Sequence, residues 1–298
     1  MCEAIERLLN LLLRLANNSA FIYDENHSHL EFFCKSMKKI KIFLLGAATF
    51  FALQNSAEAG LIDEIQVYDG EINQPGEFGL ELHLNATPNG KNTEAFNRER
   101  VTDRGARLTP EFTYGLSKNF ELGFYLPMIY TPQYGYEVAG YKPRIKWMPL
   151  QSDDRNPWSL GLNVEYAQLK NGMDDSNKSA EARFIAAWEG QDWTFAVNPI
   201  IDKKLSKNKD ETPDLNIYSS ALLRREGFFK SIGLEYYQAL GPYRNFSPSS
   251  EQTKQLFLVA NTNIEQGPLK DWGIHLGAGY GWDSADRFTV KMIISPKL

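Results

Sequence analysis

"NFELGFYLPM", residues 119–128, places Phe120, Leu122, Phe124, Leu126 and Met128 on one face and Glu121, Gly123 and Tyr125 on the other. A helix repeats every 3.6 residues and would scatter these side chains, whereas a strand alternates them with a period of two. The same grammar recurs in both directions along the chain. "EFGLELHLN" (77–85) sets Phe78, Leu80, Leu82 and Leu84 against Gly79, Glu81, His83 and Asn85. "WSLGLNVEY" (158–166) sets Trp158, Leu160, Leu162, Val164 and Tyr166 against Gly161, Asn163 and Glu165. "WGIHLGAGYGW" (272–282) sets Trp272, Ile274, Leu276, Ala278, Tyr280 and Trp282 against His275 and four glycines.

Extending the pattern predicts strands at 77–88, 106–116, 119–130, 136–147, 158–169, 180–190, 193–204, 213–225, 228–239, 252–263, 271–283 and 286–297. That is an even set of segments, most of them long enough to cross an outer membrane at a tilt. Their connections alternate as well. "NGKNTEAFNRERVTDRG", "NGMDDSNKS", "SKNKDET" and "PYRNFSPSSE" are long and polar, while "SK", "QD" and "EG" are tight. Outer-membrane barrels pair long extracellular loops with short periplasmic turns. Residues 148–157 and 283–287 break the alternation, the first being long and the second short.

Tryptophans 147, 158, 188, 193, 272 and 282, with Tyr130, Tyr136 and Tyr141, fall near predicted strand ends. Amphipathic rings there form a girdle at the headgroup level. A soluble sandwich would also bury tryptophan. A closed sheet of this size, however, could not fill its interior with so many Leu, Phe and Trp side chains, and turning the apolar face outward to lipid removes that difficulty. The expected fold is therefore all-β: a single transmembrane antiparallel β-barrel of about twelve strands, preceded by a signal peptide.

The signal lies inside the chain. Met37 is followed by Lys38, Lys39 and Lys41, an apolar run from Ile42 to Leu53, and Ala57-Glu58-Ala59. This is the basic, apolar and small-residue order of a secretory signal, and the run is too short to span a membrane. Residues 37–59 are the expected signal peptide, cut before Gly60. Residues 1–36, which could form an amphipathic helix over 5–15, read as an upstream extension from a start assigned too early. Both cysteines of the chain, Cys2 and Cys34, lie in that leader, so the exported part is expected to carry no disulfide. Residues 60–76 form a lead-in of mixed character, with Ile62, Ile65, Val67 and Tyr68 available for packing and Pro75-Gly76 as a hinge. The lead-in is expected as a periplasmic segment or partial plug, and residues 77–298 as the barrel.

Over the whole chain acidic residues outnumber basic ones, 37 to 32. That balance argues against a nucleic-acid partner. If the apolar faces meet lipid, their alternates line the lumen. Among them are Lys142, Arg144, Lys146, Glu81, His83, Glu111, Glu121, Glu165, His275 and Lys291, the candidate lumen-lining and selectivity residues. Charges that would be costly in hydrocarbon are tolerated in a wet interior. "YKPRIKW" (141–147) sends Lys142, Arg144 and Lys146 to one side, against carboxylates on other strands. Two readings fit: opposed walls that select a passing solute, or a closed lattice of ion pairs.

The chain shows little sign of catalysis. After Gly60 the histidines are His83 and His275, and no serine stands beside either within a recognisable motif. A barrel hydrolase needs a serine with an oriented histidine at the lipid boundary. No metal spacing is present, and the glycines at 273–281 precede no helix. No cofactor is expected.

The runs "VYDGEINQPGEFGLELHLN" (67–85), "RLTPEFTYGLSKNFELGFYLPMIY" (107–130) and "SIGLEYYQALGP" (231–242) resemble Gram-negative outer-membrane barrel proteins. The "TPEFTYGLSKNFELGF" hairpin is similar to the barrel family named for the MetA pathway of phenol degradation. The resemblance covers much of the chain after Gly60 and rests on hairpin grammar, so it carries over no functional residue. It implies an outer-membrane barrel with a part in uptake of aromatic or other apolar compounds.

The residues themselves lead to a monomeric, porin-like channel in the outer membrane of a Gram-negative bacterium, passing a small polar or charged solute. Its partners would be outer-membrane lipid, the solute and the barrel-assembly machinery. Two alternatives stand beside it. One is a plugged surface barrel acting through the 89–105 loop, where Arg98, Arg100 and Arg104 meet Glu94 and Glu99. The other is an envelope-lipid hydrolase using His83 or His275.

Overall fold

The computed structural model describes residues 64–298. The expected upstream extension, the signal peptide and the first residues of the lead-in lie outside the described residues.

The strands are β1 (Phe78–Asn89), β2 (Gly105–Ser117), β3 (Phe120–Tyr125), β4 (Met128–Thr131), β5 (Gly135–Val138), β6 (Gly140–Leu150), β7 (Trp158–Leu169), β8 (Lys178–Glu189), β9 (Trp193–Lys204), β10 (Asp214–Arg224), β11 (Ser231–Pro242), β12 (Thr253–Asn263), β13 (Gly273–Asp283) and β14 (Phe288–Ser295). Every pairing is antiparallel between neighbours, and β1 pairs with both β2 and β14, closing the sheet. β3 with β4, and β5 with β6, each make one stave, so fourteen segments form a barrel of twelve strands. Closure leaves no free edge strand, which is what allows a sheet to cross hydrocarbon.

The first broken stave has a local cause. Pro127 has no N–H to give the ladder. On the β2 side the register is kept, with Leu126 N–H donating to Pro110 O at 3.0 Å. On the other side Pro127 O accepts Ala139 N–H at 2.8 Å and the pairing shifts by one residue between β3–β6 and β4–β5, so the two breaks face each other. Side-chain parity survives the interruption: Tyr125 and Ile129 are buried while Phe124 and Tyr130 are exposed. The sequence-predicted ninth strand begins later than 228. Gly227 adopts φ 108°, and Arg225 N–H reaches Lys230 O at 2.8 Å. This makes 225–230 a wider turn with Phe228 exposed, and β11 starts at Ser231.

The outward face is apolar. Leu108, Phe112, Leu122, Phe124, Ile145, Leu160, Phe184, Val197, Leu234, Leu256 and Leu258 are all exposed, although each is a large hydrophobic side chain. On the alternate positions Thr109, Glu111, Glu121, Arg144, Asn163, Arg183, Asn198, Glu235 and Lys291 are buried. A water-soluble protein would invert this arrangement; a lipid-facing barrel requires it. Trp147, Trp158, Trp188, Trp193 and Trp272 gather toward the end with the short turns, where Trp147 stacks on Phe120 and Trp193 on Phe195. Tyr130 and Tyr136 pair toward the other end, their rings 4.8 Å apart.

The barrel is not hollow throughout. Residues 64–77 run inside it, and Ile65, Val67 and Tyr68 are buried. Ile65 and Val67 pack with Ala187, Ala196, Tyr237, Phe257 and Val259, all from inward-facing positions; Tyr68 packs with Met148 and Ile185. Removing such side chains from water is worth about 1.5–3 kcal/mol each. The segment leaves the lumen at the turn end. There Gly76 N–H donates to Gly115 O at 2.8 Å, and Gly115 N–H donates to Glu77 O at 3.0 Å. A Cβ on Gly115 would collide with Gln74 O, so this position on β2 has to be glycine for the lead-in to lie against it.

Candidate functional site: a charged lumen threaded by the lead-in

Alternation on β6 points Lys142, Arg144 and Lys146 inward, as the sequence predicts. Across the neighbouring strands they meet carboxylates. Lys142 Nζ lies 3.0 Å from Glu165 Oε1, and Lys146 Nζ lies 3.4 Å from Glu121 Oε1. Arg144 sits at the centre. Its Nε donates to Glu111 Oε1 at 2.8 Å and to Tyr125 Oη at 3.1 Å; one terminal nitrogen bridges Glu111 and, at 2.8 Å, Glu121. The fork geometry of guanidinium allows this simultaneous hold on two carboxylates, which lysine could not reproduce.

His83 continues the cluster, with Nε2 3.1 Å from Glu111 Oε2 and 3.6 Å from Glu81 Oε2. Glu81, His83 and Glu111 therefore bring metal-ligand atom types within 4.8 Å of one another. The two carboxylates are already engaged: Arg144 holds Glu111, while Ser295 Oγ donates to Glu81 at 2.9 Å and Gln66 donates to it at 3.3 Å. The geometry is that of an ion-pair network. A second network stands elsewhere on the lumen wall, where Lys291 binds Glu235 and Tyr237 Oη donates to Glu235 at 2.5 Å. His275 Nε2 lies 3.3 Å from the other Glu235 oxygen. All the sequence-predicted candidates thus face the lumen, and the structure divides them between these two clusters and the Lys142–Glu165 pair.

Sequence reasoning placed Glu121 and Lys291 in the lumen but missed that they, with Arg183 and Asn198, hold the lead-in. Arg183 binds Glu64 at 3.3 Å and Glu181 at 3.0 Å, and its guanidinium lies 4.3 Å from the Tyr68 ring centroid. Asn198 uses both ends of its amide on Tyr68, accepting its N–H at 2.6 Å and donating to its C=O at 2.8 Å. Lys291 Nζ donates to Ile65 O at 2.9 Å, and Glu121 accepts Asn73 N–H at 2.9 Å. Tyr68 Oη meets Tyr125 Oη at 2.5 Å. Burial, together with the Glu64 carboxylate, raises the Tyr68 phenol well above its ordinary pKa, so it remains protonated and able to donate. One signal was available in the sequence. Ala196 lies between Thr194 and Asn198, and the Phe257–Val259 pair between Gln255 and Asn261, apolar patches on an otherwise polar face, as a surface built to receive something apolar would be.

At the turn end a cavity of about 560 Å³ opens between the lead-in and Glu81, Glu111, Glu121, Arg144 and Lys146. Glu71 borders it, and its carboxyl is pushed up to about 7 by neighbouring Asp69, burial and Glu81. At the loop end Asp174 is likewise pushed up to about 7, by burial and by its hydrogen-bonded neighbour Asp175. Asp175 in turn receives Lys204 Nζ at 2.5 Å.

No family model and no curated protein matches the chain. Among solved structures it is similar to an outer membrane channel from Pseudomonas putida F1, with 9% identity and a TM-score of 0.53, covering 78% of this chain and 99% of that one. It is also similar to the NanC porin, with 10% identity and a TM-score of 0.46, covering 74% of this chain and 100% of that one. The first of these, with the closed antiparallel sheet, polar interior and apolar exterior, establishes the chain as an all-β transmembrane barrel of the outer-membrane type.

Proposed function

We propose that this barrel is a porin-like channel in the outer membrane of a Gram-negative bacterium, passing a small polar or charged solute passively, with residues 64–77 as a partial plug. The observation that carries this reading is the lumen itself. Buried charges of both signs line it in pairs, Arg144 with Glu111 and Glu121, Arg183 with Glu181, and Lys291 with Glu235, and the first of these clusters borders the polar turn-end cavity. Charges arranged this way stabilise a hydrated route that hydrocarbon would forbid. The similarity of fold to the Pseudomonas channel agrees with the reading. Outer-membrane lipid and the barrel-assembly machinery are the partners that such a fold needs. The aromatic or apolar cargo implied by the resemblance to the phenol-degradation family finds less support in this lumen than a charged one does.

The test is single-channel recording of the full-length protein, purified from envelopes and inserted in a planar bilayer under a KCl gradient. Discrete current steps are expected. Replacing Lys142, Arg144 and Lys146 together with glutamine should shift the reversal potential toward cation preference. An unchanged potential would remove this row from selectivity, and silence from a folded barrel would refute the channel.

One observation favours the plugged surface barrel as a second reading: the 90–104 loop is braced. Arg100 forks onto Glu137 at 2.9 and 3.0 Å and lies 3.9 Å from the Tyr134 ring, while Lys91 N–H donates to Asp286 at 2.9 Å. A loop held this rigidly suits recognition. The hydrolase reading has weaker support, because His83 is sealed against Glu111 and Tyr125 rather than placed beside a serine at the lipid boundary.

A further inference from the structure

The lumen treats the lead-in less as a wall than as a ligand. Its polar contacts go mainly to main-chain atoms, which every peptide possesses. Asn198 reads the N–H and C=O of Tyr68, Lys291 reads the C=O of Ile65, and Glu121 reads the N–H of Asn73. Asn198 is fully buried beneath the lead-in, and both ends of its amide are matched to one residue of extended main chain, a pairing that two separate waters would have to replace. Side chains are read too, by Glu81 on Gln66 and Thr113 on Asn73 among others, and two such contacts set a preference. Arg183 takes the Glu64 carboxylate, and a slot lined by Met148 and Ile185 takes the Tyr68 ring. Amide readers in series, an anion site at one end and an apolar slot between them make a binding site for a particular class of molecule.

We propose that the lumen is a binding site for extended acidic oligopeptides, with residues 64–74 as its tethered occupant. A peptide offering a carboxylate to Arg183 and a trans amide to Asn198 competes with the lead-in for the same atoms. The tether gives the lead-in a high local concentration, so a free peptide binds appreciably only where the lead-in is weakened. The inference rests on the channel reading for its physiological meaning, since it names the class of solute, but its binding arm is separate from conductance.

The experiment uses the full chain carrying Tyr68→Ala, which empties the slot without touching the barrel wall, with Glu64→Gln as a second weakened variant should the first not fold. Folding is checked by heat-modifiable migration in gels. The probe is a synthetic peptide of the sequence EIQVYDGEINQ, with a scrambled peptide of the same composition as control. Fluorescence anisotropy of the labelled peptide on detergent-solubilised protein reads binding, and planar-bilayer recording reads block. Saturable binding to the weakened variant is expected, with the scrambled peptide weaker. Adding Asn198→Ala should lower affinity about tenfold, as loss of two buried hydrogen bonds implies. Binding indifferent to sequence and to Asn198→Ala, or no binding to either folded variant, would overturn the proposal. Conductance without peptide block would overturn it while sparing the channel; specific binding with no conductance would support the site and refute the channel.

Discussion

Arg144 is the residue whose loss should cost the barrel most. Its side chain is 2% exposed, and the two carboxylates it joins, Glu111 and Glu121, are 3% and 4% exposed. Replacing it with methionine keeps much of the volume but leaves two buried carboxylates without their shared cation. Removing one partner of a buried ion pair costs about 3–5 kcal/mol. Two neighbours soften the loss here, since Lys146 remains 3.4 Å from Glu121 and His83 remains 3.1 Å from Glu111. About 3 kcal/mol is therefore expected for Arg144→Met. The companion change Glu111→Gln, made in the same chain, removes the carboxylate that suffers most and should recover about 2 kcal/mol of it. The assay is reversible urea unfolding in phospholipid vesicles, followed by tryptophan fluorescence, with all four members of the cycle compared. A cost below about 1 kcal/mol for the single change, or a double variant whose losses simply add, would show that the cluster is well hydrated and that its pairing does not hold the staves together.

Leu258→Arg, on the outward face of β12 where the leucine is 66% exposed, should destabilise the barrel in vesicles by about 2–4 kcal/mol; a neutral result would mean that this face does not meet lipid. Glu71, with its carboxyl at about 7 instead of 4.5, binds a proton more tightly in the docked lead-in than when free. Its contribution to docking is therefore complete below about pH 4.5 and is lost as the pH rises through about 7. Conductance of the intact protein should accordingly rise between those limits, and Glu71→Gln should flatten the rise. Changing His83 to alanine with folding intact should leave envelope-lipid composition unchanged by mass spectrometry; a lost lipid modification would revive the hydrolase.

The barrel was legible in the sequence because alternation is a one-dimensional signal that survives local breaks. Pro127 interrupts a stave, yet Tyr125 and Ile129 still face inward and Phe124 and Tyr130 outward, so counting by parity reaches the right number of strands. The inward placement of Arg144, His83 and Lys291 was legible for the same reason. Their partners were not. Which carboxylate stands level with Arg144 depends on the stagger of β2, β3 and β6, and hydrophobic pattern does not encode stagger. The lead-in was harder still. Val67-Tyr68-Asp69-Gly70 has no periodicity, and its burial follows from Asn198 and Arg183, more than a hundred residues away in the chain. Phe257 and Val259 carried the hint, being apolar residues on a polar face.

The lead-in's place inside a closed ring also constrains time. β1 and β14 lie at opposite ends of the barrel sequence and pair as neighbours, so the ring cannot shut until synthesis and delivery of the whole chain are complete. Residues 64–77 precede β1, yet they lie within what that last pairing encloses. Threading them into a finished ring would mean dragging Glu64 past Arg144 and Lys146, shedding water from each charge in turn. Seating them against a still-open sheet, with Asn198 and Arg183 already in position, avoids that passage. The lead-in is then a core around which the staves are rolled, and the seam between β1 and β14 is the final act of assembly.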